Sequence, residues 1–168
     1  MEKPSMSIQQ ADKEHLNIIK TIVISTIKEI YPRYYPSGAV DFFLSHHHEN
    51  AIAQDVQAGS VFLICDHERQ AVGTVTMKAN EICRLFVLPQ YQNQGFGRQL
   101  LDFAEARISG GYNTAILDAS LPAKAIYLKR GYSEIETHSI ETESGDFLCY
   151  DVMQKNLSSI TTNENCHS

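Results

Sequence analysis

Between Leu85 and Leu101 an apolar strand, Leu85-Phe86-Val87-Leu88, runs into Pro89 and a short polar turn, the turn ends in Gly95-Phe96-Gly97, and an amphipathic helix begins. Few folds accommodate that succession, because it sets a strand end beside a helix N-terminus with almost no side chain between them. The first N–H groups of a helix have no intrahelical partner, and the helix dipole adds partial positive charge there. Two glycines remove the Cβ atoms that would hold a ligand off the backbone. A diphosphate suits such a site. Two nucleotide-binding alternatives fail on residues. A dinucleotide fingerprint needs a third glycine where this chain has Leu100. The Gly-Lys-Ser/Thr of a Walker loop is absent.

The rest of the chain sets this unit in a mixed α/β pattern. A first strand is expected at 5–10. Residues 12–31 carry Leu16, Ile19, Val23, Ile27 and Ile30 at three- and four-residue spacing, an amphipathic helix with Asp12 as N-cap. Residues 31–38, with three tyrosines, two prolines and a glycine, break it. Two short helices follow, 39–48 and 49–58, the second ended by Gly59. Strands at 60–66, 71–78 and 81–87, joined by turn-length gaps, read as an antiparallel meander. The glycine-led helix spans 95–109. A strand at 113–119 then follows a strand–helix unit and is expected to lie parallel to 81–87. Ser120 caps a helix that runs to Arg130, and strands at 132–141 and 147–154 flank a Ser144-Gly145-Asp146 turn. Residues 1–157 read as a single domain. The polar stretch from Asn156, with 158–168 beyond the domain, is expected to be disordered.

A net charge of −6 argues against a nucleic-acid partner, which would need a basic face. No apolar run approaches the ~20 residues that span a bilayer, and the first residues lack a secretory pattern, so no membrane association and a cytoplasmic location are expected. Cys65, Cys83, Cys149 and Cys166 have neither zinc nor disulfide-framework spacing. His46-His47-His48 invites a metal reading, but consecutive helical residues point about 100° apart and do not converge on one ion.

Two stretches carry a family resemblance. Gln92-Asn93-Gln94-Gly95-Phe96-Gly97 fits an Arg/Gln-x-x-Gly-x-Gly/Ala signature between a strand and a helix. Ala123-Lys124-Ala125-Ile126-Tyr127-Leu128-Lys129-Arg130-Gly131-Tyr132 fits a helix running from alanine to tyrosine and closed by Gly-Tyr. On these the chain resembles the GNAT superfamily of N-acetyltransferases. The resemblance implies an α/β fold of GNAT type: a mixed, mainly antiparallel sheet, helices on both faces, and a central parallel strand pair splayed to form an acetyl-CoA cleft. It implies acetyl-CoA as co-substrate and no metal. Backbone from Gln92, Asn93, Gln94, Gly95, Phe96, Gly97 and Arg98 would hold the diphosphate. Leu85, Phe86 and Val87 would pair with the pantetheine arm as an added strand does, with Ala123 and Tyr127 beside it. Ser120 stands where many members have asparagine, and serine reaches less far.

The implied reaction is direct attack of an amine on the thioester in a ternary complex, with alignment worth ~7–11 kcal/mol. Tyr127 matches the family's general acid. Glu81, opening the strand that leads to the signature, is the expected general base. A backbone N–H near Phe86 or Val87 would hold the oxyanion. Cys83, placed by two-residue alternation on one face with Glu81 and Leu85, offers an acyl-cysteine route, but no histidine is close in sequence. The acceptor is expected to be a primary amine of a small molecule or peptide, with Tyr34, Tyr35 and Phe42 as a substrate wall. A non-catalytic acyl-CoA-binding sensor is the rival reading. Nothing in the sequence sets the oligomeric state, and a homodimer through the last two strands stays open.

Overall fold

Seven strands lie side by side in the computed structural model, which describes residues 6–158. They are β1 (Ser7–Gln10), β2 (Val61–Cys65), β3 (Ala71–Lys78), β4 (Glu81–Val87), β5 (Thr114–Ala119), β6 (Ser133–Glu141) and β7 (Phe147–Asn156). Their order across the sheet is β1-β2-β3-β4-β5-β7-β6. Only β4 and β5 run parallel; every other neighbouring pair is antiparallel. The expected mixed sheet with one central parallel pair is therefore the one found.

Two apolar layers hold helices to the two faces. On one face α1 (Leu16–Ile30), α2 (Ser37–His46) and α3 (Glu49–Gln57) pack on Val61, Leu63, Phe86 and Leu148. Ile19, Ile22, Val23 and Ile27 of α1 are fully buried there, each contributing ~1.5–3 kcal/mol. On the other face α4 (Phe96–Ser109) and α5 (Leu121–Lys129) cover Phe62, Ile64, Ile82, Leu117 and Met153. Alternate residues of β2 thus point to opposite layers, as a strand buried on both faces requires.

Several boundaries differ from expectation. The helix expected from Asp12 opens with a 3₁₀ turn, Lys13–His15, in which the Asp12 carboxylate accepts from Glu14 N–H and His15 Nδ1 accepts from Asp12 N–H. This reciprocal cap satisfies two orphan donors, and α1 proper starts at Leu16. The tyrosine-rich break is a single 3₁₀ turn, Tyr31–Arg33, and α2 begins at Ser37, earlier than the expected 39. The early start has a tertiary cause. Gly38 N–H donates to Asp146 Oδ2 at 2.9 Å, and a Cβ at position 38 would overlap Ser144 Oγ and Asp146 Oδ2. The tip of the β6–β7 hairpin is seated on the first turn of α2. The polar segment from Asn156 is ordered at its start: β7 includes Asn156, and Leu157 is buried with its N–H donating to Asn113 O at 2.7 Å. The remainder of the expected tail, with Cys166, lies outside the described residues.

Candidate active site

β4 and β5 pair only at Glu81↔Ile116 and Ile82↔Leu117. Beyond that point β4 stays on β3 as far as Val87 and β5 stays on β7 as far as Ala119. Each strand keeps one partner and loses the other, so the sheet opens into a slot. An irregularity sits at the slot's first residue. Thr76 pairs with Arg84 and Met77 with Ile82, leaving Cys83 as an extra residue on β4. Such a bulge re-aims the side chains around it. Ile82 and Leu85 both pack in the layer under α4, whereas Phe86 packs under α1 and α2, with Arg84 buried against α3 and His47. The simple alternation that places Cys83 with Glu81 and Leu85 on one face is interrupted here.

A cleft of about 700 Å³ follows the slot, with lining residues on both faces of the sheet. Leu85, Phe86 and Val87 of β4 form one wall. The Val87 carbonyl accepts from Gln92 Nε2 at 3.0 Å and Thr26 Oγ1 at 3.3 Å, which ties the polar turn to the strand end. The turn comprises a 3₁₀ segment, Pro89–Tyr91, then Asn93 at φ 61 and Gly95 at φ 91. Gly95 is the N-cap of α4, and its left-handed conformation suits glycine. The first i→i−4 bond of the helix runs from Gln99 N to Gly95 O, so the N–H groups of Phe96, Gly97 and Arg98 precede the ladder. Among the described residues no side chain caps them, and no acidic residue sits in the first turn. Among the described residues a Cβ at Gly97 would touch only Val87, leaving room for a ligand against these donors. Asn93, Gly95, Gly97 and Arg98 line the cleft. Gln94 does not; its side chain donates to Gln90 O at 3.1 Å. The Phe96 ring is buried beside Tyr91, leaving only its N–H for the site.

Ser120, Ala123 and Tyr127 also line the cleft. Ser120 is the N-cap of α5 by backbone position, but its side chain makes no capping bond. Tyr35 caps instead, its hydroxyl accepting from Leu121 N–H at 2.7 Å. Tyr35 is thus buried as a clip between the tyrosine turn and α5, and Tyr34 is half-exposed; neither belongs to the cleft wall, whereas Phe42 does. The Tyr127 hydroxyl has no hydrogen-bond partner among the described residues and is not sealed off, so it opens to the cleft. Burial, with Tyr31 adding to it, holds the Tyr127 phenol well above its usual range. Glu81 is exposed at the paired end of β4 and is not among the lining residues.

The face toward α2 is organised by charge. Arg84 is buried: Nη1 donates to Asp55 Oδ2 and Thr76 Oγ1, both at 3.1 Å, and Nε donates to His47 Nδ1 at 3.3 Å. Lys78 Nζ lies 2.7 Å from the other Asp55 oxygen. Burial, reinforced by Arg84, lowers His47 to about 3, so its ring is neutral and accepts at Nδ1. The histidine run divides its tasks: His46 stacks on Phe42 and lines the cleft, His47 meets Arg84, and His48 caps α3 by accepting from Ala51 N–H at 3.3 Å. Among the described residues no group of three His, Cys, Asp or Glu is placed to hold a metal ion.

Sequence reasoning missed Asp118, His138 and Tyr150. Asp118 and Tyr150 line the cleft, and the His138 ring stacks on Tyr150 with 5.3 Å between centroids. Burial raises the Asp118 carboxyl, with His138 and His46 opposing. The available signal was one acidic residue inside the otherwise uncharged Thr-Ala-Ile-Leu-Asp-Ala strand. Cys83 also lines the cleft; burial, with Glu81 nearby, pushes its thiol up to about 11, which leaves it protonated and a poor nucleophile.

The profile of the acetyltransferase (GNAT) domain family matches residues 30–151. A GCN5-related N-acetyltransferase of Rhodopseudomonas palustris superposes with a TM-score of 0.81 at 21% identity, over 93% of this chain and 98% of that one. The PaiA N-acetyltransferase of Thermoplasma acidophilum, solved in complex with coenzyme A, gives 0.69 at 18% identity, over 90% and 99%. YncA of Salmonella typhimurium, solved with acetyl-CoA, gives 0.68 at 17% identity, over 92% and 95%. No curated protein sequence gives a significant match.

Proposed function

The chain belongs to the GNAT acetyltransferase family, and from that premise we propose that it transfers the acetyl group of acetyl-CoA to a primary amine of a small molecule or peptide, by direct attack within a ternary complex. Residues 1–157 act as one catalytic domain. The observation that carries the reading is the slot between β4 and β5, open to both faces of the sheet, with the uncapped first turn of α4 at one end and the Tyr127 hydroxyl along its side.

Each part has a chemical use. The N–H groups of Phe96, Gly97 and Arg98 suit the diphosphate, each worth ~0.3–1 kcal/mol when exposed and up to ~2 when partly buried. The released edge of β4 at Leu85–Val87 suits an extended pantetheine arm, which adds to it as a strand would. The bulge at Cys83 lies where strand pairing stops, which supports an oxyanion donor nearer to the bulge than to Phe86 or Val87. Tyr127 stays protonated until charge develops on the departing sulfur, then hydrogen-bonds it and delivers a proton. The protonated Cys83 thiol favours direct transfer over an acyl-cysteine intermediate.

The test is thiol release from acetyl-CoA across a panel of alkylamines, polyamines, amino-acid amides and short peptides. Saturable, amine-dependent release with a mass shift of one acetyl group on the amine is expected. Tight CoA binding with no amine-dependent release would leave a non-catalytic acyl-CoA-binding module.

A further inference from the structure

Glu81 stops short of the slot, and direct attack still needs a group to take the acceptor's proton. The strand register supplies one. β4 and β5 last meet at Ile82↔Leu117, so the next residues, Cys83 on the bulge and Asp118 on β5, stand opposite each other where the slot opens. Leu117 and Ala119 are buried in the layer under α4 and α5. Asp118 therefore points to the other face, by strand alternation. Its carboxylate is exposed in the cleft and makes no hydrogen bond or ion pair with the described residues. Given the acetyltransferase reading above, on which this rests, we propose that Asp118 receives the acceptor's ammonium and takes its proton, so that the acceptors are amines protonated at neutral pH.

The surroundings fit that task. His46 from α2, His138 from β6 and Tyr150 from β7 face Asp118, and Cys83 and Arg84 stand across on β4. Arg84 is already held by Asp55, and the Cys83 thiol is neutral, so neither cancels the carboxylate. Partial burial raises the carboxyl, which brings a carboxylate nearer to useful basicity. Tyr127 packs in the layer on the opposite face of the sheet. An amine entering on the Asp118 side and a thiol leaving on the Tyr127 side flank the same carbonyl carbon.

The ammonium gives one proton to Asp118, which later returns it to solvent. The freed nitrogen lone pair forms the N–C bond, and the C–S bond breaks with its electron pair going to sulfur. Sulfur takes a proton from Tyr127, and the tyrosine is restored by the second proton that nitrogen loses.

Two probe amines of similar size test this with acetyl-CoA: ethylamine, protonated at neutral pH, and trifluoroethylamine, largely unprotonated there. For Asp118→Asn, kcat/KM with ethylamine is expected to fall by ~10²-fold or more. The acid limb of its pH profile should disappear. With trifluoroethylamine the loss should stay below about tenfold, since that nitrogen needs no base. Thermal unfolding and acetyl-CoA affinity, read in parallel, separate loss of a base from loss of structure. Equal losses for both amines, an unaltered pH profile, or a larger loss in Glu81→Gln than in Asp118→Asn would each overturn the assignment while leaving the acetyltransferase reading in place. A wild-type protein that releases no thiol with either amine would overturn the inference together with that reading.

Discussion

The two halves of the cleft are built by different means. The half proposed for the donor, on the α4 side, lies within one continuous stretch from Leu85 to Arg98 and consists largely of backbone: a released strand edge and the N–H groups of a helix start. The half proposed for the acceptor gathers side chains from α2, β5, β6 and β7, from Phe42 to Tyr150, around the buried Arg84. A backbone site depends on local conformation, which a short run of residues can encode. A side-chain site depends on where distant elements come to rest. The first kind tolerates little substitution at its glycines, and the second can be altered one residue at a time.

The largest effect should come from Arg84→Ala, which leaves Asp55 buried with, among the described residues, the half-exposed Lys78 as its one counter-charge. Denaturant unfolding should show a loss of about 3–5 kcal/mol. A loss under about 1 kcal/mol would mean that the Arg84 network does not hold the acceptor half together. Next is Tyr127→Phe, which should lower kcat by roughly 10²-fold, about 2.7 kcal/mol of barrier. Acetyl-CoA affinity should hardly move, since the hydroxyl acts only as sulfur departs. Gly97→Val fills the space against the first turn of α4 and should weaken acetyl-CoA binding by about 1–2 kcal/mol in calorimetry. If the acceptor KM moves as much as the acetyl-CoA affinity, the halves are not separable.

The smallest effect concerns pH. His47 is lowered to about 3 in the folded protein by burial, then by Arg84 and His46, with Asp55 opposing. The unfolded histidine takes up its proton below about 6.5. The unfolded state thus binds more protons in that window, and stability falls as pH drops. Between pH 6.5 and 5.5 the loss from this one group should be about 1 kcal/mol. In His47→Gln, which can still accept from Arg84, the pH dependence of unfolding should flatten by that amount.

The fold was legible where periodicity and punctuation agree. The stripe Leu16, Ile19, Val23, Ile27 and Ile30 marks α1, and the β2–β3–β4 meander follows from beta-branched runs with short gaps. The parallel β4–β5 pair follows from its crossover helix. The Cys83 bulge left no mark, since neither glycine nor proline accompanies it, and it interrupts the alternation expected for Glu81, Cys83 and Leu85. Tyr34 and Tyr35 drew attention by density alone. Their side chains were decided by the α5 N-terminus, which takes the Tyr35 hydroxyl, and by solvent. Asp118, His138 and Tyr150 were illegible as a group, because β5, β6 and β7 become neighbours only through tertiary pairing. Pro89, Gln92, Gly95 and Gly97 could be read from sequence because their conformational consequences are local.

The seat of Gly38 against Ser144 and Asp146 has a consequence for engineering. A Cβ at 38 collides with the hairpin tip, and a tip without Asp146 loses the carboxylate that holds the Gly38 N–H. The two segments therefore act as one mechanical joint, though about a hundred residues separate them. A specificity graft from a relative that carries only the helix, or only the hairpin, would import half of a joint. Chimaeras should exchange residues 37–46 and 142–146 together or leave both alone.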